Sequence, residues 1–152
     1  MTLRSRILLP FLLLATLATA AHAAKVLHVN AEVVRQGKAT GVHTRGSALI
    51  VGSLVRNGHT VTQLGSLDLN PRAKTRVDLG KVGQPDLVTI SATMSNSVPT
   101  VHWIVKGLVA QGVSRSQIVI GGQATSKALA DRLGVHHGAV PATATRWADG
   151  RY

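Results

Sequence analysis

The chain has 152 residues, 45% of them hydrophobic and 15% charged, which gives room for one domain with a proper core and is too apolar for a disordered chain. It holds no cysteine, so disulfides, thiolate metal sites and cysteine nucleophiles are excluded together. The formal net charge is +11, a surplus that attracts nucleic acid, anionic lipid and phosphorylated ligands without specificity. Lys and Arg are nevertheless scattered in ones and twos from Lys25 to Arg151, with no basic run and no alternation of Arg with aromatics, so the surplus reads as a solvated basic surface without a specific nucleic-acid face.

The first segment stands apart from the fold. Arg4 and Arg6 precede an apolar run from Ile7 to about Ala18, and small residues then lead to Ala21-His22-Ala23. That is the layout of a secretory signal with an A-x-A cleavage site, and it predicts cleavage after Ala23. Residues 1–23 are therefore read as signal-like and residues 24–152 as the folded domain, whose charge, without Arg4 and Arg6, falls from +11 to +9. No other stretch is apolar for long enough to span a membrane, so no span is expected after cleavage. The expected location is exported, periplasmic or secreted; a start site placed too early would make the protein cytoplasmic, and an uncleaved segment would act as an anchor.

From Lys25 the chain alternates strand and helix. Lys25 to Val34 is rich in apolar and β-branched residues and predicts a buried strand, followed by a polar loop that delivers His43 between Gly41 and Gly46. Ser47 to Asn57 carries Leu49, Ile50, Leu54 and Val55 at helical spacing and is closed by Asn57-Gly58. A second strand runs from His59 to Leu64, and Asn70-Pro71 resembles the start of a short second helix, weakened by Gly80 and Gly83. Asp86 to Ser91 is a near-continuous apolar run suited to the centre of a parallel sheet. Ser97 and Pro99 open a third helix whose stripe is Val101, Ile104, Val105, Leu108 and Val109, with Trp103 and Lys106 off it and Gly112 at its end. Gln117 to Ile120 forms a fourth strand stopping at Gly121-Gly122; Ser126 to Leu133 forms a fourth helix; a short strand near residues 138–140 and a helical turn around Trp147 complete the chain.

Five strands alternating with helices predict a doubly wound parallel sheet of flavodoxin-like or Rossmann-like type, with helices on both faces and right-handed crossovers. Aromatics make up only 3% of the chain, so the core is expected to be built from Val, Leu, Ile and Ala. In such sheets ligands sit outside the carboxyl ends of the strands, and His43, Gly65, Ser91, Thr93 and Gly121-Gly122 all fall at that edge. Each glycine alone is an ordinary turn, and a loop histidine alone is a surface histidine. Their coincidence on one edge predicts a binding crevice, where glycine admits a large ligand to the backbone and hydroxyls serve its polar groups.

The usual occupants of this architecture fit poorly. Gly37, Gly41 and Gly46 lack the G-x-G-x-x-G spacing of a dinucleotide site, and the phosphate loop fails because Ser47 stands where its lysine is needed. A phosphorylatable receiver wants an acidic residue at the end of strand three, and this chain has Ser91.

The residues resemble another family, the cobalamin-binding domain of methionine synthase, corrinoid carrier proteins, cobalamin-dependent mutases and cobalamin light sensors. That family carries Asp-x-His-x-x-Gly after strand one, Ser-x-Leu or Ser-x-Thr after strand three and Gly-Gly after strand four. The counterparts here are Gly41-Val42-His43-Thr44-Arg45-Gly46, Ser91-Ala92-Thr93 and Gly121-Gly122, and the resemblance extends from about Lys25 to Trp147. It implies that cobalamin is the cofactor, with cobalt ligated by His43 in place of its own benzimidazole base. The displaced tail would run past Thr44, Arg45, Gly46, Leu49, Gly65, Ser91, Thr93, Gly121 and Gly122. The pattern departs at Gly41, where the family's Asp would orient the imidazole; Glu32 or a backbone carbonyl is the available substitute. No catalytic residue is expected in this chain alone. The implied role is a corrinoid carrier, or a cofactor-binding subunit beside a methyltransferase or mutase partner. The reading from a different class is a degenerate exported basic α/β domain that binds another ligand or an anionic surface.

The signal-like segment yields a direct test. Intact-mass measurement of the exported protein is expected to place its first residue at Ala24, and soluble cytosolic material still carrying Met1 would overturn both cleavage and export.

Overall fold

The computed structural model describes residues 23–33, 44–74, 76–138 and 141–150. Five strands, β1 (Lys25–Asn30), β2 (Thr60–Gly65), β3 (Leu87–Ser91), β4 (Ile118–Gly121) and β5 (His136–His137), form one sheet in the order β2-β1-β3-β4-β5. Every pairing is parallel. The helices are α1 (Thr44–Arg56), α2 (Leu79–Val82), α3 (Val98–Ala110), α4 (Lys127–Leu133) and α5 (Pro141–Ala148). The expected doubly wound sheet is therefore present, and its strand order reverses between β1 and β3.

Alternation along the strands builds two different faces, because successive side chains point to opposite sides. Leu27, Val29, Val88, Ile90, Ile118 and Ile120 share the larger apolar cluster with Val101, Ile104, Val105 and Leu108 of α3 and Leu129 of α4. This bears out the amphipathic stripe read for the third helix. The other face has a smaller cluster, in which Val26, Leu87 and Val119 meet Leu54 of α1, with Trp147 of α5 packed against it.

α5 is fastened to this second face by polar contacts. Ser53 and Thr145 share a 2.9 Å hydrogen bond between α1 and α5, and the rings of His136 and Trp147 lie 4.0 Å apart. His59, at the start of β2, accepts from the Ala24 backbone N–H through Nδ1 at 3.2 Å, and its Nε2 lies 2.8 Å from the Asp149 carboxylate. Since Nδ1 accepts, the ring proton sits on Nε2 and is donated to Asp149.

Several boundaries differ from the sequence reading, each for a local reason. β1 ends at Asn30 rather than Val34, because the Asn30 side-chain oxygen accepts from the Glu32 N–H at 2.9 Å and turns the chain. Asn70-Pro71 opens a turn rather than a helix: the Asn70 side chain accepts from the Arg72 N–H at 2.9 Å, and the helix begins at Leu79 with Asp78 as its cap. α1 buries Leu54 but leaves Leu49 and Val55 exposed, so its apolar stripe is narrower than read. The last strand is described at His136–His137, and the Gly138 N–H donates to the Ile120 carbonyl at 2.9 Å; the remainder of the expected 138–140 strand lies outside the described residues.

The β3 and β4 ends are clasped together by backbone. The Ala92 N–H donates to the Gly121 carbonyl at 2.9 Å and the Ala124 N–H to the Ala92 carbonyl at 3.1 Å. Gly122 has φ +102°, and a Cβ there would collide with the Ala92 backbone. Gly122→Ala is therefore expected to destabilise the fold by at least about 2 kcal/mol in urea denaturation. Gly46, in the first turn of α1, has nothing among the described residues within 4 Å of where its Cβ would stand, so Gly46→Ala is expected to be neutral or to stabilise by up to about 1 kcal/mol. Equal losses at the two positions would contradict this difference.

Candidate functional site

At the carboxyl edge of the sheet, Gly65, Asn30, Ser91 and Gly121 stand in register across β2, β1, β3 and β4. Ligands of doubly wound sheets bind at this edge, where the strand order reverses. Here that point falls between β1 and β3. Thr93 and Gly122 lie directly beyond their strands.

The face of the sheet beneath α1 changes character along its length. Its amino-terminal half is the apolar cluster of Val26, Leu87, Val119 and Leu54. Its carboxyl half is polar and buried, formed by His28 and Asn30 from β1, Thr89 and Ser91 from β3, and Ser47 from α1. His28 and Thr89, a registered pair, share a 2.8 Å hydrogen bond. The Asn30 amide donates to the Ser47 hydroxyl at 2.8 Å, linking β1 to the first turns of α1.

His28 is 1% exposed, and burial pushes its pKa down to about 4, so the ring is neutral at pH 7. Its Nε2 is buried without a hydrogen-bond partner among the described residues. A buried polar atom left unpaired costs about 1–3 kcal/mol and calls for an explanation.

Glu32 bridges the two strands flanking the reversal. Its Oε1 accepts from the backbone N–H groups of Thr93 at 2.5 Å and Met94 at 3.0 Å, and from the Thr93 hydroxyl at 3.2 Å. The carboxylate is thus the acceptor that shapes the loop after β3. This fixes the Thr93 hydroxyl toward β1.

The predicted site residues divide into three groups. Gly65, Ser91, Thr93, Gly121 and Gly122 come together at one edge. Thr44, Arg45 and Gly46 belong to the first turn of α1 and not to a loop before it, while Leu49 is 56% exposed on that helix and away from the buried polar layer. His43 and Gly41 lie outside the described residues. No group of three or more potential metal-ligating side chains occurs among the described residues.

Sequence reasoning missed His28, Asn30 and Ser47. A signal for the first two was available: polar residues at alternate positions of a strand share a face, and here that face lies under a helix. The first strand reads from its sequence as a buried one rich in apolar and β-branched residues, without separation of its two faces.

These features define a doubly wound α/β protein with a buried polar layer at its switch point. No family model and no curated protein matches the chain. Among solved structures it is similar to a cobalamin-binding protein from Desulfitobacterium hafniense DCB-2, with a TM-score of 0.63 and 18% identity over 86% of this chain and 60% of that one. It is also similar to the monomethylamine corrinoid protein of Methanosarcina barkeri, with a TM-score of 0.61 and 18% identity over 84% of this chain and 58% of that one. The chain therefore has the fold of these two proteins and spans about three fifths of the length of each.

The depressed His28 pKa makes stability depend on pH. Between the ordinary value of 6.5 and about 4, the unfolded chain takes up a proton that the folded ring does not, so stability falls as pH falls through that window. From pH 6.5 to 5 the loss assigned to this group is about 2 kcal/mol. Urea denaturation should show that much less acid sensitivity in His28→Gln than in the native chain; parallel pH profiles would remove His28 as the cause.

Proposed function

We propose that the chain is a corrinoid-binding module in which His43 ligates cobalt and the cofactor's nucleotide tail occupies the crevice at the β1–β3 reversal. The observation that carries this reading is the polar layer under α1. His28, Asn30, Ser47, Thr89 and Ser91 are buried where an ordinary α/β core would be apolar, and His28 Nε2 has no partner among the described residues. An internal polar layer with an unpaired nitrogen suits a buried ligand that brings its own polar atoms. Gly46 adds space at the first turn of α1 that the protein's own packing does not require.

The fold shared with a cobalamin-binding protein and a corrinoid protein supports the same reading. His28, Asn30, Ser91 and Ser47 would hold the tail through hydrogen bonds, and Gly121-Gly122 would let it pass close to the backbone. His43, on the segment between β1 and α1, would fix the cobalt. The bound corrin would supply methyl-transfer or rearrangement chemistry, and this chain would serve as carrier or subunit to a methyltransferase or mutase partner. With Ala24 as the first residue after export, that partner would be periplasmic or extracellular. Glu32 is already engaged by Thr93 and Met94 through Oε1, which favours a backbone carbonyl as the group orienting His43 in place of the family's Asp.

Titration with hydroxocobalamin, followed by visible spectroscopy and by electron paramagnetic resonance of the Co(II) form with nitrogen-15 histidine, tests the proposal. The expected result is a histidine-ligated, base-displaced species that His43→Ala abolishes while leaving the fold and its thermal midpoint nearly unchanged. Gly46→Val is expected to weaken binding without unfolding the chain. Absence of corrinoid binding, or a nitrogen hyperfine pattern untouched by His43→Ala, would overturn the assignment.

A further inference from the structure

A cavity of about 780 Å³ lies on the opposite face of the sheet, between α3 and the segment from Leu69 to Gly80. Its floor is a close approach of backbone: a Cβ on Gly107 would stand 3.1 Å from the Leu69 carbonyl oxygen, so a side chain there would require α3 or the turn to give by a few tenths of an ångström. The volume falls in the range of small-molecule sites.

The walls carry a distinct chemistry. Arg72 and Arg76 contribute from the turn and Lys106 from α3, and the indole of Trp103 lies one turn before Lys106 on the same helix. None of these three cations is ion-paired among the described residues. The one carboxylate in the wall, Asp78, is occupied: its Oδ1 accepts from the Gly80 N–H at 3.0 Å and its Oδ2 lies 4.0 Å from Lys81. Gln111 completes the wall, and while its Oε1 accepts from the Leu79 N–H at 3.0 Å, its Nε2 is a buried donor with no acceptor among the described residues. Trp103 and Lys106 lie off the buried stripe of α3 and have no part in the polar layer at the strand ends.

We propose that this cavity binds a small phosphorylated ligand carrying a planar ring, with the phosphate on Arg72, Arg76 and Lys106 and the ring against Trp103. Unpaired guanidinium groups are suited to bidentate contact with phosphate oxygens, and an indole offers a flat, polarizable wall. The unfilled Gln111 amide would donate to the ligand's polar body. Cations alone would mark a solvated basic surface; here they line the open mouth of one groove together with an aromatic wall and a buried donor.

Calorimetric titration of the full chain with AMP, FMN, ribose 5-phosphate and adenosine tests the assignment. AMP or FMN is expected to bind more tightly than ribose 5-phosphate, which lacks the ring, and adenosine, which lacks the phosphate. Arg72→Ala, Arg76→Ala and Lys106→Ala, all at exposed positions, should each weaken that binding by about tenfold or more, and Trp103→Leu should erase the advantage over ribose 5-phosphate. His43→Ala should bind AMP as the native chain does, which separates this site from the corrinoid reading. No binding of AMP or FMN at millimolar concentration, adenosine equal to AMP, or affinity unaffected by the three cation variants would each overturn the proposal.

Discussion

β1 is paired on both sides, to β2 and to β3, and is covered on both faces, so every side chain from Val26 to Asn30 must be accommodated inside the protein. Period-two alternation sends Leu27 and Val29 to one face and Val26, His28 and Asn30 to the other. The first pair joins the apolar core under α3. The second set cannot close in the same way, because a buried imidazole and a buried amide each need partners. Thr89, directly opposite His28, and Ser47, on the facing helix, supply them. One face is thereby closed by hydrophobic burial, while the carboxyl end of the other is held by hydrogen bonds and retains an unpaired nitrogen.

The polar layer is closed in by elements that are tied down elsewhere. α1 is held to α5 through Ser53 and Thr145, and α5 is anchored at its far end by Asp149, which receives the ring proton of His59. His59 in turn takes the Ala24 N–H, so the residue expected to be first after cleavage is bonded into the body of the domain. The base of the second face is thus braced by a histidine at the amino-terminal edge of the sheet, at the opposite end from the polar layer.

The architecture was legible because its strongest signals are repeated. The apolar runs of β3 and β4, the stripe from Val101 to Leu108 and the glycines ending helices all act locally and agree with one another. The second helix was misread because Asn70 and Pro71 serve equally well in a turn, while the Asp78 side chain caps the helix that starts at Leu79. The site was legible in part. Ser91, Gly121 and Gly122 could be found because strand ends are punctuated, and Gly122 is glycine for a reason internal to the fold, its positive φ and the Ala92 backbone. Glu32 as the organiser of the Thr93 loop could not be found, since its partners are 61 and 62 residues away in the chain and no periodicity encodes that contact.

The two faces of the sheet differ in what they can bind, and the difference follows from where polar groups are buried. Under α1 the uncharged polar layer is internal to the sheet packing, so a ligand must enter beside the backbone and exchange hydrogen bonds with neutral groups. Beside α3 the sheet packing is apolar and complete, and the cations lie outside it on a turn and on the solvent flank of the helix. A neutral interior suits a bulky group held by shape and hydrogen bonds, whereas unpaired guanidinium groups suit an anion whose affinity falls with salt. The scattered basic residues of the sequence therefore acquire local meaning only where folding brings Arg72, Arg76 and Lys106 around one volume, a convergence across 34 positions of chain that no run or motif announces.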